Sequence, residues 1–158
     1  MTAAVSHEST PRRRLLAVLA AGLVPWTVLL VGEVTFVFSF GLVGLDPLNL
    51  TNIYEFLFVY TDGLPRRLQA WPAGVLLYAG ALASAMTGLR GVEDPRLTGG
   101  LLAFAGVAHA QVTYGLFRTY GLPVTDIPVL PVGAVVSWAV VWWYYWPLAR
   151  RKGLGPLD

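Results

Sequence analysis

The chain has 158 residues, of which 56% are hydrophobic and only 13% charged, with a net charge of +2 and no cysteine. Soluble domains carry roughly a quarter charged residues, so this composition argues against a water-soluble globule and leaves no soluble domain to carry a nucleic-acid surface. The missing cysteines exclude disulfides, lipoprotein anchoring and thiolate metal sites.

The apolar residues fall into blocks of the length a bilayer requires, ~20 residues each. The first follows Arg12, Arg13 and Arg14 and runs from Leu15 to about Val34. Its opening, PRRRLLAVLAAG, also has the charged and apolar parts of a signal peptide. The apolar run continues through Pro25 and Trp26, however, and is read as a span with Pro25 kinking it. Glu33 stands near its outer end. An acid at membrane depth is a functional candidate, although ~20 residues counted from Arg14 place Glu33 at the interface.

Residues 34–45, VTFVFSFGLVGL, alternate Phe36, Phe38 and Phe40 with Thr35, Val37 and Ser39. That period of two favours a strand. An open strand cannot lie in lipid, so a long or broken helix is the preferred reading. In the connection that follows, Asn52 with Glu55 three residues on forms an approximate capping box. It predicts a short interfacial helix over NIYEFLFVYTDG. Asn49-Leu50-Thr51 matches the glycosylation sequon.

The second block, Trp71 to Leu89, repeats small residues every four positions at Gly80, Ser84 and Gly88. This spacing lets helix backbones approach closely. Gly106 and Ala110 repeat it in the third block, Leu97 to Phe117, and Gly133 and Ser137 in the fourth, Ile127 to Leu148. The inner loop GVEDPR, with Glu93 and Asp94, reads as a solvated turn. The fourth block ends in WWYYWPLARRK, an aromatic belt followed by cations, which anchors a helix at the interface.

In the third block His109 lies near mid-span. Thr113, four residues on, shares its face, whereas Gln111 points nearly opposite. A central histidine can carry protons or bind a ligand; interhelical bonding is its plainer role. With His7 as the other histidine, and no HExxH or cysteine cluster, a metal site is not expected.

Arg12, Arg13, Arg14, Arg90, Arg96, Arg150, Arg151 and Lys152 flank one side of four such spans, and Arg66, Arg67 and Arg118 the other. The positive-inside rule then places both termini in the cytoplasm. The expected protein is an all-α, integral membrane four-helix bundle, with cytoplasmic tails at 1–14 and 149–158 and spans at about 15–34, 71–89, 97–117 and 127–148. The segments PRRRLLAVLAAGLVPWTVL, EVTFVFSFGLV, LPRRLQAWPAGVLLYA and WWYYWPLARR resemble an uncharacterised family of small haloarchaeal multi-pass membrane proteins. The resemblance covers nearly the whole chain and implies an archaeal cell membrane, with no activity to carry over.

No nucleophile elbow, P-loop, dinucleotide fingerprint or carboxylate pair occurs. The sequence therefore reads as a non-catalytic, cofactor-free membrane protein, a scaffold, assembly factor or complex subunit that works in the lipid bilayer as a homo-oligomer or with a membrane partner. The alternative is a small oligomeric transporter or channel that uses Glu33, His109, Gln111 and Thr113.

Overall fold

Pro25 ends the all-helical pattern. The computed structural model describes residues 9–31, 33–59, 65, 68–120 and 129–151. Helix α1 (Pro11–Leu23) begins at Thr10, whose hydroxyl accepts from Arg13 N, and stops where Val24 turns extended (φ −76°, ψ 148°). A residue before proline is driven out of the α region, and proline offers no N–H to continue the ladder. The 13 residues of α1 reach about 20 Å, short of the ~30 Å hydrocarbon core.

Beyond Pro25 the chain is rich in β-branched residues, which suit a pleated ladder. It forms β1 (Thr27–Val31), β2 (Glu33–Val37), β3 (Gly41–Leu45) and β4 (Leu48–Asn52). With β5 (Val129–Leu130) these make one antiparallel sheet in the order β4-β3-β2-β1-β5. Thr27 faces Val37 and Val31 faces Glu33 across the first hairpin. The all-α four-helix bundle is thus overturned. The block 15–34 is half helix and half strand, and 34–45 is sheet rather than an extension of the first helix. The strand signal held for Thr35, Phe36 and Val37 in β2, whereas Phe38 and Phe40, whose rings stack at 5.0 Å, lie in the connection between β2 and β3. Pairing with neighbouring strands satisfies the backbone groups that made an isolated strand implausible.

Asn52 Oδ1 accepts from Glu55 N at 2.8 Å and caps α2 (Ile53–Phe58). The turn residues Asp62 and Gly63 lie outside the described residues. Helix α3 (Ala70–Thr87) continues as a 3₁₀ turn, Gly88–Arg90. Gly91, at φ 75°, then reverses the chain in a conformation that glycine adopts without strain. Asp94 Oδ1 takes Arg96 N at 2.9 Å at the start of α4 (Pro95–Tyr120). Within the fourth block Val129–Leu130 form β5, the chain is helical from α5 (Val132–Val140), passes through a π-helical turn (Val141–Tyr145) and ends as α6 (Trp146–Arg151). Among the described residues, two helices are long and apolar enough to cross a membrane: α3 with its 3₁₀ extension, and α4.

The helices α3 and α4 form the central hairpin, with α1 and α5 packed against it. Val18, Trp26, Trp71, Tyr78, Ala81, Leu102, Ala105 and Tyr145 are among the core residues. The sheet is seated where α3 begins and α5 starts. Trp71 Nε1 donates to Phe38 O at 3.1 Å. Trp26 joins both layers, its N–H to Val37 O at 2.6 Å and its carbonyl to Gly133 N at 2.9 Å.

Candidate functional site

His109 occupies the junction of sheet and helices. It lies about four turns into α4, and the Trp26 ring, just before β1, stacks on it at 3.6 Å with 27° between planes. Helix α3 can approach because position 74 is glycine: a Cβ there would lie 3.2 Å from His109 Cδ2. Gly133 serves the same end on α5, since a Cβ would fall 2.6 Å from Trp26 Cα. His109 is 1% exposed. The Gly133 backbone is the polar group that acts on it, yet neither ring nitrogen makes a hydrogen bond of normal geometry. Trp26 Nε1 and Ser137 Oγ are likewise buried without a partner.

One turn further, Thr113 Oγ1 donates to His109 O at 2.9 Å and contacts Thr27 Oγ1 at 2.7 Å. Thr27 is fully buried. This pair ties the first residue of β1 to α4. The junction is packed with paired hydroxyls and one stacked imidazole, and it has the character of a polar lock between layers.

Glu33 is not part of it. Its backbone opens β2 opposite Val31, four residues along the strand from Thr27, about 13 Å. Gln111 is exposed on the other side of α4, in a surface groove with Gln69, Ala73 and Phe104. Of the four polar candidates, the fold brings His109 and Thr113 together and leaves Glu33 and Gln111 apart.

The small residues lie along the helix contacts. A Cβ on Gly80 would meet Leu101 at 3.4 Å, and one on Gly106 would meet the Trp138 indole at 2.5 Å. Ser84 Oγ contacts Thr98 Oγ1 at 2.7 Å. Gly88 faces Glu93, Ala110 is half-buried, and Ser137 is fully buried.

A second polar cluster closes the other end of the bundle. Arg14 Nη2 lies 2.8 Å from Glu93 Oε2, and Arg14 Nε donates to the same oxygen at 3.0 Å. The side chain of Glu93 is 3% exposed, so the solvated-turn reading of GVEDPR is corrected for this residue. The loop folds Glu93 inward to meet a cation 79 positions earlier. Tyr145, presented inward by the π turn, interacts with Glu93, although its hydroxyl and Glu93 Oε1 miss ordinary hydrogen-bond geometry. Among the described residues, no three His, Cys, Asp or Glu side chains gather to hold a metal ion.

Sequence reasoning missed Trp26, Thr27, Arg14, Glu93 and Tyr145. Trp26 beside Pro25 was the available clue, an aromatic placed where a helix must stop. Glu93 offered no local signal, because its partner is remote in sequence.

Residues 2–153 match the model of a domain of unknown function, DUF8050. The chain belongs to that family. No curated protein and no solved structure gave a match.

Proposed function

We propose that this protein is a non-catalytic integral membrane protein, whose helices hold the β-meander at one face of the bilayer as a scaffold or assembly surface. The observation that carries the reading is the exposure of large apolar side chains along the helices. Leu16 and Leu23 on α1, Leu76 and Met86 on α3, Leu97, Phe104 and Val107 on α4, and Val135 and Trp142 beyond it all face outward. His109, Thr98, Thr113 and Ser137 face inward. Only 28% of the apolar stretch of α3 and 44% of that of α4 is buried, whereas a core helix of a soluble protein hides most of its apolar surface. Contiguous apolar surface on this scale marks contact with lipid or protein.

The basic residues support an orientation. Arg14 meets the α3–α4 loop at Glu93, and Arg96 meets α6 at Ala149 O. The start of α1, that loop and the end of α6 therefore share one end, which the positive-inside rule assigns to the cytoplasm. The sheet then lies at the outer face. There β4 is an edge strand with Leu48 and Leu50 exposed, followed by exposed Tyr54 and Phe58 on α2. An uncharged edge of this kind is a template for a further strand.

A photo-crosslinking residue placed at Leu48 should capture a protein in native membranes, whereas one at Leu76 should capture lipid. Release of the chain from membranes by alkaline carbonate would refute the membrane reading. Lipid capture at both positions would refute the scaffold reading. The transporter alternative is favoured by one observation, the buried ring nitrogens of His109, which make no hydrogen bond of ordinary geometry. Under the scaffold reading His109→Phe keeps the stack on Trp26 and leaves the protein folded with no change in any flux. Loss of proteoliposome flux in that folded variant would establish the alternative.

A further inference from the structure

A narrow apolar groove of about 230 Å³ runs between α4 and the helix that includes the π turn, at the basic end of the bundle. Its α4 wall is made of Gly99, Gly100 and Ala103, and Tyr145 and Trp146 stand opposite. The two glycines do different things. A Cβ on Gly99 would press on Tyr145 Cβ at 2.9 Å, so Gly99 serves helix packing; a Cβ on Gly100 would meet nothing within 4 Å. The space before Gly100 is open. A π turn inserts an additional residue into a helix and often marks a functional site. This one places Val141 and Tyr145 along the groove.

The volume is below the ~300–1,000 Å³ of a pocket for a whole small molecule. It suits a segment of hydrocarbon chain. The mouth has the opposite character. Arg96 is exposed and spends its Nε on Ala149 O at 3.3 Å, which leaves its terminal nitrogens for a ligand. Arg150 is held with its guanidinium carbon 4.7 Å from the centroid of the Trp146 ring. Arg12, Arg13 and Arg90 are exposed at the same end. Among the described residues, the acids there are engaged: Glu93 is paired with Arg14 and Asp94 uses Oδ1 on the Arg96 backbone. Positive charge is therefore in excess where a lipid headgroup would sit, and basic pockets between membrane helices on the cytoplasmic side hold anionic headgroups.

We propose that this groove retains one anionic membrane phospholipid, with a hydrocarbon chain against Gly100 and the headgroup phosphate on Arg96 and Arg150. The assignment rests on the membrane reading above, so membrane retention after carbonate washing is measured first; a released protein would fail that reading, not the groove alone. Delipidated protein in detergent is then titrated with phosphatidylglycerol, phosphatidylcholine or inorganic phosphate, and bound mass is counted by native mass spectrometry. The wild type should keep one phosphatidylglycerol at least tenfold more tightly than phosphatidylcholine. Gly100→Leu should lower retention at least tenfold without loss of thermal stability, because its side chain fills open space. Arg96→Gln should erase the preference between the two lipids. A membrane-embedded wild type with no retained lipid would overturn the proposal. So would a Gly100→Leu variant that binds like the wild type, or displacement of the lipid by inorganic phosphate alone.

Discussion

Replacing Thr113 by valine should destabilise the protein more than replacing Thr27, although the two hydroxyls share one contact. Thr113 has a single hydroxyl proton and gives it to His109 O at 2.9 Å. The 2.7 Å contact between the two threonines must then have Thr27 as the donor. Thr27→Val removes that donor but leaves Thr113 bonded to the helix, a loss of about 0.5–1 kcal/mol. Thr113→Val leaves the fully buried Thr27 hydroxyl with no acceptor, at a cost of about 1–3 kcal/mol. The double variant removes both polar groups at nearly constant shape and should return to within about 1 kcal/mol of the wild type. Thermal unfolding in detergent, followed by tryptophan fluorescence, should show Thr113→Val lower by roughly 2–12 °C, at about 2–4 °C per kcal/mol. The double variant should melt above Thr113→Val. Additive losses, or a larger loss for Thr27→Val, would refute the assigned direction of the bond.

At the basic end, Glu93→Ala strands the Arg14 charge and should cost about 3–5 kcal/mol, while Arg14→Met with Glu93→Leu recovers most of it; a denaturation series in which the double variant is the least stable would contradict this. Gly133→Ala puts a Cβ 2.6 Å from the Trp26 backbone and should lose about 1–3 kcal/mol by overpacking. Gly80→Ala meets only the end of Leu101 at 3.4 Å and should be near neutral, so equal melting of the two alanine variants would count against the packing account. Trp71→Phe gives up the 3.1 Å bond to Phe38 O and should raise amide exchange in β2 and β3 more than in α4; uniform protection would show that this bond does not seat the sheet.

The membrane-length helices were legible because a run of apolar residues with glycine and serine at four-residue spacing has one economical fold. The stretch from Trp71 to Leu89 needs nothing remote to become α3, and the same holds for α4. Asn52 and Glu55 likewise settle their own cap. The first block was misread because hydropathy reports burial and not backbone conformation. Leu15–Val34 is equally apolar before and after Pro25, and only the strand partners of Thr27–Val31 make an extended chain affordable there.

What the sequence determined by itself was local: apolar blocks, cations at their ends, and a stop at Pro25 that local sterics impose. The tertiary structure decided the rest. Strand order needs partners as distant as Val129 and Leu130, which pair with Leu29 and Val28. The burial of Glu93 needs Arg14, and the role of His109 needs Trp26 on one side and Gly74 on the other. Each of these is a contact between residues far apart in the chain, held by an interior too closely packed for local propensity to describe.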